Sequence, residues 1–171
     1  MNWRTTAIRL NEKTFMKNLN EAITNHAFFH GMKPEHLAVL TDGAKAVQFK
    51  VGDVLFREGE PANQFYLIES GKIALEAHEP ANGTALVQIL GAGDVLGWSW
   101  LFPPFAWHFK ARAIEPTNAI VLSGAHLLVT AERNHDFGYE LMKRVAQVVI
   151  RRLQATRKQL LDLQVESALE G

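Results

Sequence analysis

The sequence predicts a mainly β domain, an antiparallel sandwich or roll, with helices at both ends. Three observations predict it. Between residues 46 and 122, short apolar runs alternate with turn formers at roughly the 8–12-residue spacing of all-β domains. On either side of that stretch, apolar residues step by three and four, the period of a helix packed on one face. The chain has 171 residues, 47% of them hydrophobic and 21% charged, the size and balance of one domain with a buried core.

Taken in order, Phe15, Leu19, Ile23 and Ala27 form one stripe of a helix over 14–29 with Thr14 as its cap, and Pro34 opens a second, short helix over 34–42 that turns Leu37 and Leu40 inward. These helices form an N-terminal segment, 1–44. The β region, 45–123, follows. Val47, Phe49 and Val51 alternate with polar residues, and then come Val54–Phe56, Phe65–Ile68, Ile73–Leu75, Leu86–Leu90, Phe109–Ala113 and Ala119–Leu122, about eight strands in all. Gly52-Asp53, Gly59-Glu60-Pro61, Ser70-Gly71-Lys72, Pro80-Ala81-Asn82-Gly83 and Gly91-Ala92-Gly93-Asp94 supply the turns between them.

Helix returns over 124–165. Ser123 caps residues 124–133, and after Asn134-His135-Asp136 a long helix runs to about Gln164, with a loose tail beyond Val165. At 1.5 Å per residue it is roughly 40 Å long, more than the roll needs for cover. Tyr139, Met142, Ala146, Val149, Leu153, Thr156, Leu160 and Leu163 are spaced 3, 4, 3, 4, 3, 4, 3, a heptad seam. Leu141, Val145, Val148 and Leu161 form a second apolar face. One face covers the roll, and the other calls for a partner, most simply the same helix of a second copy. The alternative is one broad stripe packed within a monomer. Lys143, Arg144, Arg151, Arg152, Arg157 and Lys158 lie along this helix with no acid between Glu140 and Asp162. No aromatic residues interleave with them to stack bases, so a solvated basic face is the expectation and a nucleic-acid surface the alternative.

Bulk properties exclude several classes. Lys+Arg and Asp+Glu balance at 18 each, so no global field draws the chain to nucleic acid or anionic lipid. With no cysteine, disulfides, iron–sulfur clusters, Cys-type zinc sites and thiol chemistry are ruled out. The start lacks a signal-peptide core, and no run reaches the roughly 18 apolar residues of a membrane helix. The expectation is a soluble, cytoplasmic protein. His26, His30, His36, His78, His108, His126 and His135 include no His-x-His pair with a nearby Glu, and His26 and His30, four apart on a helix, lack a third ligand. Gly-x-Ser-x-Gly, a P-loop and paired acids in a recognisable setting are also missing. Neither a metal site nor catalysis is expected.

The string Phe56-Arg57-Glu58-Gly59-Glu60-Pro61-Ala62-Asn63-Gln64-Phe65-Tyr66-Leu67-Ile68-Glu69-Ser70-Gly71-Lys72-Ile73 resembles the signature of cyclic-nucleotide-binding domains. Leu90-Gly91-Ala92-Gly93-Asp94-Val95-Leu96-Gly97 resembles the approach to that family's phosphate-binding cassette. The resemblance spans about residues 20–164 and is to the sensor half of catabolite-activator (Crp/Fnr-type) regulators. It implies a double-stranded antiparallel β-helix, a jelly-roll-like β-roll, with N-terminal helices and a long C-terminal dimer helix bearing Met142, Ala146, Val149, Leu153, Thr156 and Leu160. It also implies that Thr156 and its neighbours complete the ligand site from either subunit. Those regulators continue into a DNA-reading helix-turn-helix, for which the sequence ending at Gly171 leaves no room, so DNA is not an expected partner.

In the family, the residue after the cassette glycine is a Glu that holds the ribose 2′-hydroxyl, and an Arg some ten residues later holds the cyclic phosphate. By the same alignment, Trp98 falls at the Glu position and Trp107 or His108 at the Arg position. Two hydrogen bonds to charged groups, at roughly 1.5–3 kcal/mol each, amount to a loss of roughly 10²- to 10⁴-fold in affinity. Stacking on indole returns about 1–3 kcal/mol. Ordinary cAMP is therefore not the expected ligand.

Trp98, Trp100, Phe102, Phe105, Trp107 and Phe109 concentrate aromatic surface in one short loop. One reading is a pocket recast for a flatter or more apolar ligand, lined by Gly97, Trp98, Ser99 and Trp107, with His108, Lys110 and Arg112 as polar anchors. The other is that the aromatics fill the former pocket. For Arg112 alone, an ordinary strand residue facing solvent or bonding an acid is the simpler reading. The functional expectations are a stand-alone regulatory sensor domain, non-enzymatic and homodimeric through its long helix, binding a small molecule or a cyclic-nucleotide-like ligand without any certain cofactor. The alternatives are a ligand-free interaction protein with a collapsed pocket, and weak or atypical cAMP or cGMP binding.

Overall fold

The computed structural model describes residues 18–79 and 83–169, with side chains through Val165. Helix α1 covers 18–25 of the described residues and α2 spans Pro34–Thr41. Eight strands follow: β1 Lys45–Phe49, β2 Val54–Phe56, β3 Gln64–Ser70, β4 Ile73–Glu79, β5 Gly83–Leu90, β6 Val95–Leu96, β7 Lys110–Ala113 and β8 Thr117–Ser123. Helix α3 (Gly124–Arg133) and helix α4 (His135–Leu169) complete the chain. The strands form two antiparallel four-stranded sheets, ordered β1-β8-β3-β6 and β2-β7-β4-β5. This is the β-roll with flanking helices that the sequence predicts.

The run Phe65–Ile68 does not alternate because β3 is buried on both faces. Phe65 meets Phe28 edge-on at 5.3 Å on the helical side, whereas Tyr66 turns into the roll towards Phe49 and Phe56. The sharp link from β3 to β4 depends on Gly71. Its φ is +86°, and a Cβ there would stand 2.3 Å from the Pro116 carbonyl oxygen, so only glycine fits.

The helices show both agreement and correction. Ser123 caps α3, its Oγ accepting from the His126 N–H at 3.3 Å, and Asn134 caps α4, accepting from the Phe137 N–H at 3.0 Å. The first helix does not continue to residue 29. It ends at Asn25, because His26 Nδ1 accepts from the Phe28 N–H at 3.3 Å and opens a 3₁₀ turn over Ala27–Phe29. Phe28 and Phe29 are thereby buried, and Ala27, expected on the apolar stripe, is exposed. Thr14, Phe15 and the Pro80–Asn82 part of one turn lie outside the described residues.

Helix α4 runs on to Leu169, past the expected end at Gln164. Its 35 residues extend roughly 50 Å. Phe137, Leu141, Val145 and Val148 are buried against the rest of the fold. The seam faces outward: Tyr139, Met142, Val149, Leu153, Leu160 and Leu163 are exposed, Leu153 by 67%, as are Ala146 and Thr156. Leu161, expected on the inner face, is 50% exposed, while Gln159, Asp162 and Leu163 border an open groove with Leu86–Ile89 of β5.

Candidate ligand-binding site

The site begins where β6 ends. Gly97 adopts φ +90°, and a Cβ on it would lie 2.7 Å from the Gln64 carbonyl oxygen and 3.1 Å from the Trp107 ring. Any other residue would strain the backbone and collide with both neighbours. A 3₁₀ helix over Trp98–Leu101 follows. The loop then passes Phe105, whose φ of +56° is left-handed, and returns alongside residues 59–62. The Ala62 N–H donates to the Phe105 carbonyl at 2.7 Å and the Gly59 N–H to the Trp107 carbonyl at 2.8 Å. The turn residues Gly59–Ala62 thus pin the far side of the loop.

Inside this loop is a pocket of about 260 Å³, slightly below the roughly 300–1,000 Å³ of drug-sized sites. Gly97, Trp98, Ser99, Trp107 and His108 all line it, joined by Phe109 and Arg152 over a floor of Phe56, Leu75 and Leu96. Trp107 stacks on Phe56 with ring centroids 3.9 Å apart and planes at 16°, and is buried. Ser99 Oγ and His108 Nδ1 lie 3.2 Å apart.

The six aromatics divide three ways. Trp98, Trp107 and Phe109 face the pocket. Trp100 is buried beneath α3, against Phe65 and so close to Gly124 that a Cβ there would come within 2.6 Å of its ring. Phe102 and Phe105 are half exposed. The loop is partly filled by indole, and space remains.

Two expected anchors sit elsewhere. On β7, Ala111 faces inward opposite Leu75, so Lys110 and Arg112 project from the opposite face of the sheet. Both meet Glu76 of β4 there. Arg112 Nε donates to Glu76 Oε1 at 3.0 Å, its Nη2 contacts the same oxygen, and Lys110 Nζ stands 2.9 Å from Oε2. The Arg112 hydrogen bond holds the Glu76 carboxyl below its usual range, against burial, with Lys110 helping. Neither cation reaches the pocket.

The pocket's cation comes from α4. Arg152 lies over the Trp98 ring, its guanidinium carbon 4.3 Å from the centroid, and its Nη2 donates to the Val95 carbonyl. Burial pushes its pKa down to about 10; Asp94 opposes this and Arg151 adds to it. It stays charged at neutral pH. Thr156, the expected contributor from this helix, is exposed one turn further on. The sequence did carry a signal for Arg152. Leu141, Val145 and Val148 step by four and three, and the next step of four lands on Arg152, a cation where an apolar residue would continue the buried stripe.

The rest of the basic run divides likewise. Arg144 Nε donates to Glu140 Oε1 at 2.8 Å and its Nη1 to the Phe28 and His30 carbonyls at 2.6 and 3.0 Å, tying α4 to the 3₁₀ turn. Lys143 pairs with Glu140 at 2.8 Å. His26 has both ring nitrogens engaged, Nδ1 as noted and Nε2 3.1 Å from the Ile68 carbonyl oxygen.

Residues 46–134 match the family model of the cyclic nucleotide-binding domain. The chain belongs to that family. This cyclic nucleotide-binding domain is 30% identical over 146 residues to the CRP-like cAMP-activated global transcriptional regulator of Mycobacterium tuberculosis, covering 85% of this chain and 63% of that one. It thus spans less than two thirds of that curated relative. It is also 36% identical over 70 residues to the Acetyltransferase Pat of Mycolicibacterium smegmatis, 41% of this chain but 21% of that one. Among solved structures, a protein described as cyclic nucleotide-binding from Geobacter metallireducens superposes with a TM-score of 0.71 at 28% identity, over 78% of this chain and 96% of that one. Among the described residues, no helix is long and apolar enough to cross a membrane.

Proposed function

We propose that this cyclic nucleotide-binding domain is a non-enzymatic regulatory sensor whose cassette pocket takes a small molecule other than ordinary cAMP. The observation that carries the reading is the open pocket of about 260 Å³ lined by Trp98, Trp107 and His108, where the family resemblance places a ribose-binding Glu at Trp98 and a phosphate-binding Arg at Trp107 or His108. That the pocket stays open beside the Phe56–Trp107 stack favours a ligand over a collapsed, purely structural loop.

The exposed seam on α4 supports a homodimer. Ligand held between the cassette and α4 would act by favouring one of two helix arrangements, which requires different affinities for them. The pocket and the seam share one helix, with Arg152 and Leu153 adjacent.

A thermal-shift and fluorescence screen of cAMP, cGMP and small aromatic metabolites tests the reading, with Trp98→Phe identifying the responding indole. Saturable stabilisation by an aromatic metabolite, lost or altered in Trp98→Phe, is the expected result. Silence across the screen would favour the interaction-protein alternative, and a response to cAMP alone would favour cyclic-nucleotide sensing with altered chemistry.

A further inference from the structure

Resting on the reading of the cassette loop as a small-molecule pocket, we propose that its ligand combines a planar ring with one anionic group, and that Arg152 of α4 binds the anion. The pocket's side chains set this chemistry. Its walls are the rings of Trp98, Trp107 and Phe109; it contains one guanidinium and no carboxylate. A cationic ligand would meet Arg152 without a countercharge. A neutral ring would satisfy the walls and leave the cation unused.

Arg152 is the available cation because it lines the pocket, whereas Arg151 beside it is exposed and outside the lining and the other nearby cations are engaged with acids elsewhere. Lys110 and Arg112 are held by Glu76, and Lys143 and Arg144 by Glu140. Among the described residues, no carboxylate comes within ion-pair distance of Arg152. Asp94, the acid nearest in effect, has its Oδ2 accepting from the Gly91 N–H at 2.9 Å. A guanidinium has five N–H donors in a planar fork. The Val95 carbonyl takes one side of it, leaving donors to meet a carboxylate or phosphate two at a time. The face resting on Trp98 fixes the plane in which they point. A planar ligand can stack on the remaining indole surface while its anion reaches the fork. The anion-binding residue is then carried by the helix, so binding and helix position share one side chain.

The test is calorimetric titration of the full chain with 2-naphthoate, 2-naphthyl phosphate and the neutral 2-naphthamide, on wild type, Arg152→Gln and Arg152→Lys. At least one anion should bind wild type about tenfold or more tighter than the amide, the scale of one charge-assisted hydrogen bond. Which anion binds tighter separates carboxylate from phosphate. In Arg152→Gln the preference should fall within about twofold with amide affinity unchanged, and Arg152→Lys should keep an intermediate preference. Should Arg152→Gln not fold, the wild-type ratio and the Lys variant decide the matter. An amide that matches both anions in wild type, or a preference that survives loss of the guanidinium, overturns the inference while leaving the pocket reading intact. Failure of all three probes to bind overturns both.

Discussion

The Arg152 guanidinium lies over the Trp98 indole, 4.3 Å from its centroid, and this contact fastens the long helix to the loop that begins at Gly97. Partly desolvated cation–π pairs contribute about 0.5–2 kcal/mol. A double-mutant cycle with Trp98→Leu and Arg152→Leu should give a coupling free energy in that range by urea denaturation. Additive single effects would mean that the contact stabilises nothing.

Gly97→Ala should destabilise the fold more than Gly52→Ala. Both glycines have positive φ, +90° and +94°, but only at Gly97 does an added Cβ collide, with Gln64 and Trp107. The left-handed strain alone costs roughly 1–2 kcal/mol, which is all that Gly52→Ala should lose. Equal losses in denaturant would show that the loop relaxes around the new methyl group.

The two faces of α4 should respond in opposite ways. Leu141 is 1% exposed and Leu153 67%. Leu141→Ala should cost about 2–5 kcal/mol, as buried leucine truncations do. Leu153→Asp should preserve the circular dichroism of the roll while halving the mass seen by light scattering. A wild-type chain that is monomeric at tens of micromolar would remove the dimer from the account.

Acid should weaken the fold through His26. Burial holds this imidazole below its usual 6.5, against the Ile68 carbonyl and Asp94, so the unfolded chain binds the proton more readily. Its contribution is complete above about pH 6.5 and is lost as pH falls towards the folded value. Tm should therefore drop between pH 7.5 and 5.5, and His26→Gln should flatten the drop. Parallel slopes for the two proteins would assign it to other groups.

Much of this architecture was legible because turn chemistry is local: Gly52-Asp53 and Ser70-Gly71-Lys72 mark corners where the chain passes from one sheet to the other, and Ser123 announces α3. The end of α1 was not legible, since it depends on a histidine side chain folding back to cap its own turn. Nor was β6, whose two residues are too few to show a period. Lys110 and Arg112 stand beside the cassette in sequence, yet strand alternation sends them to the opposite face, where Glu76 awaits on β4, more than thirty residues away in the chain. Arg152 belongs to the same class of difficulty. It lies 54 residues beyond Trp98 in sequence, and only the packing of α4 brings the two together.

Isothermal titration of the purified chain with cAMP tests the central claim most directly: the scaffold keeps a ligand pocket but not the Glu and Arg that the family resemblance places at Trp98 and at Trp107 or His108. Binding roughly 10²- to 10⁴-fold weaker than a micromolar site, with no saturation at tens of micromolar cAMP, is the predicted result. Stoichiometric binding at micromolar affinity or tighter would contradict it.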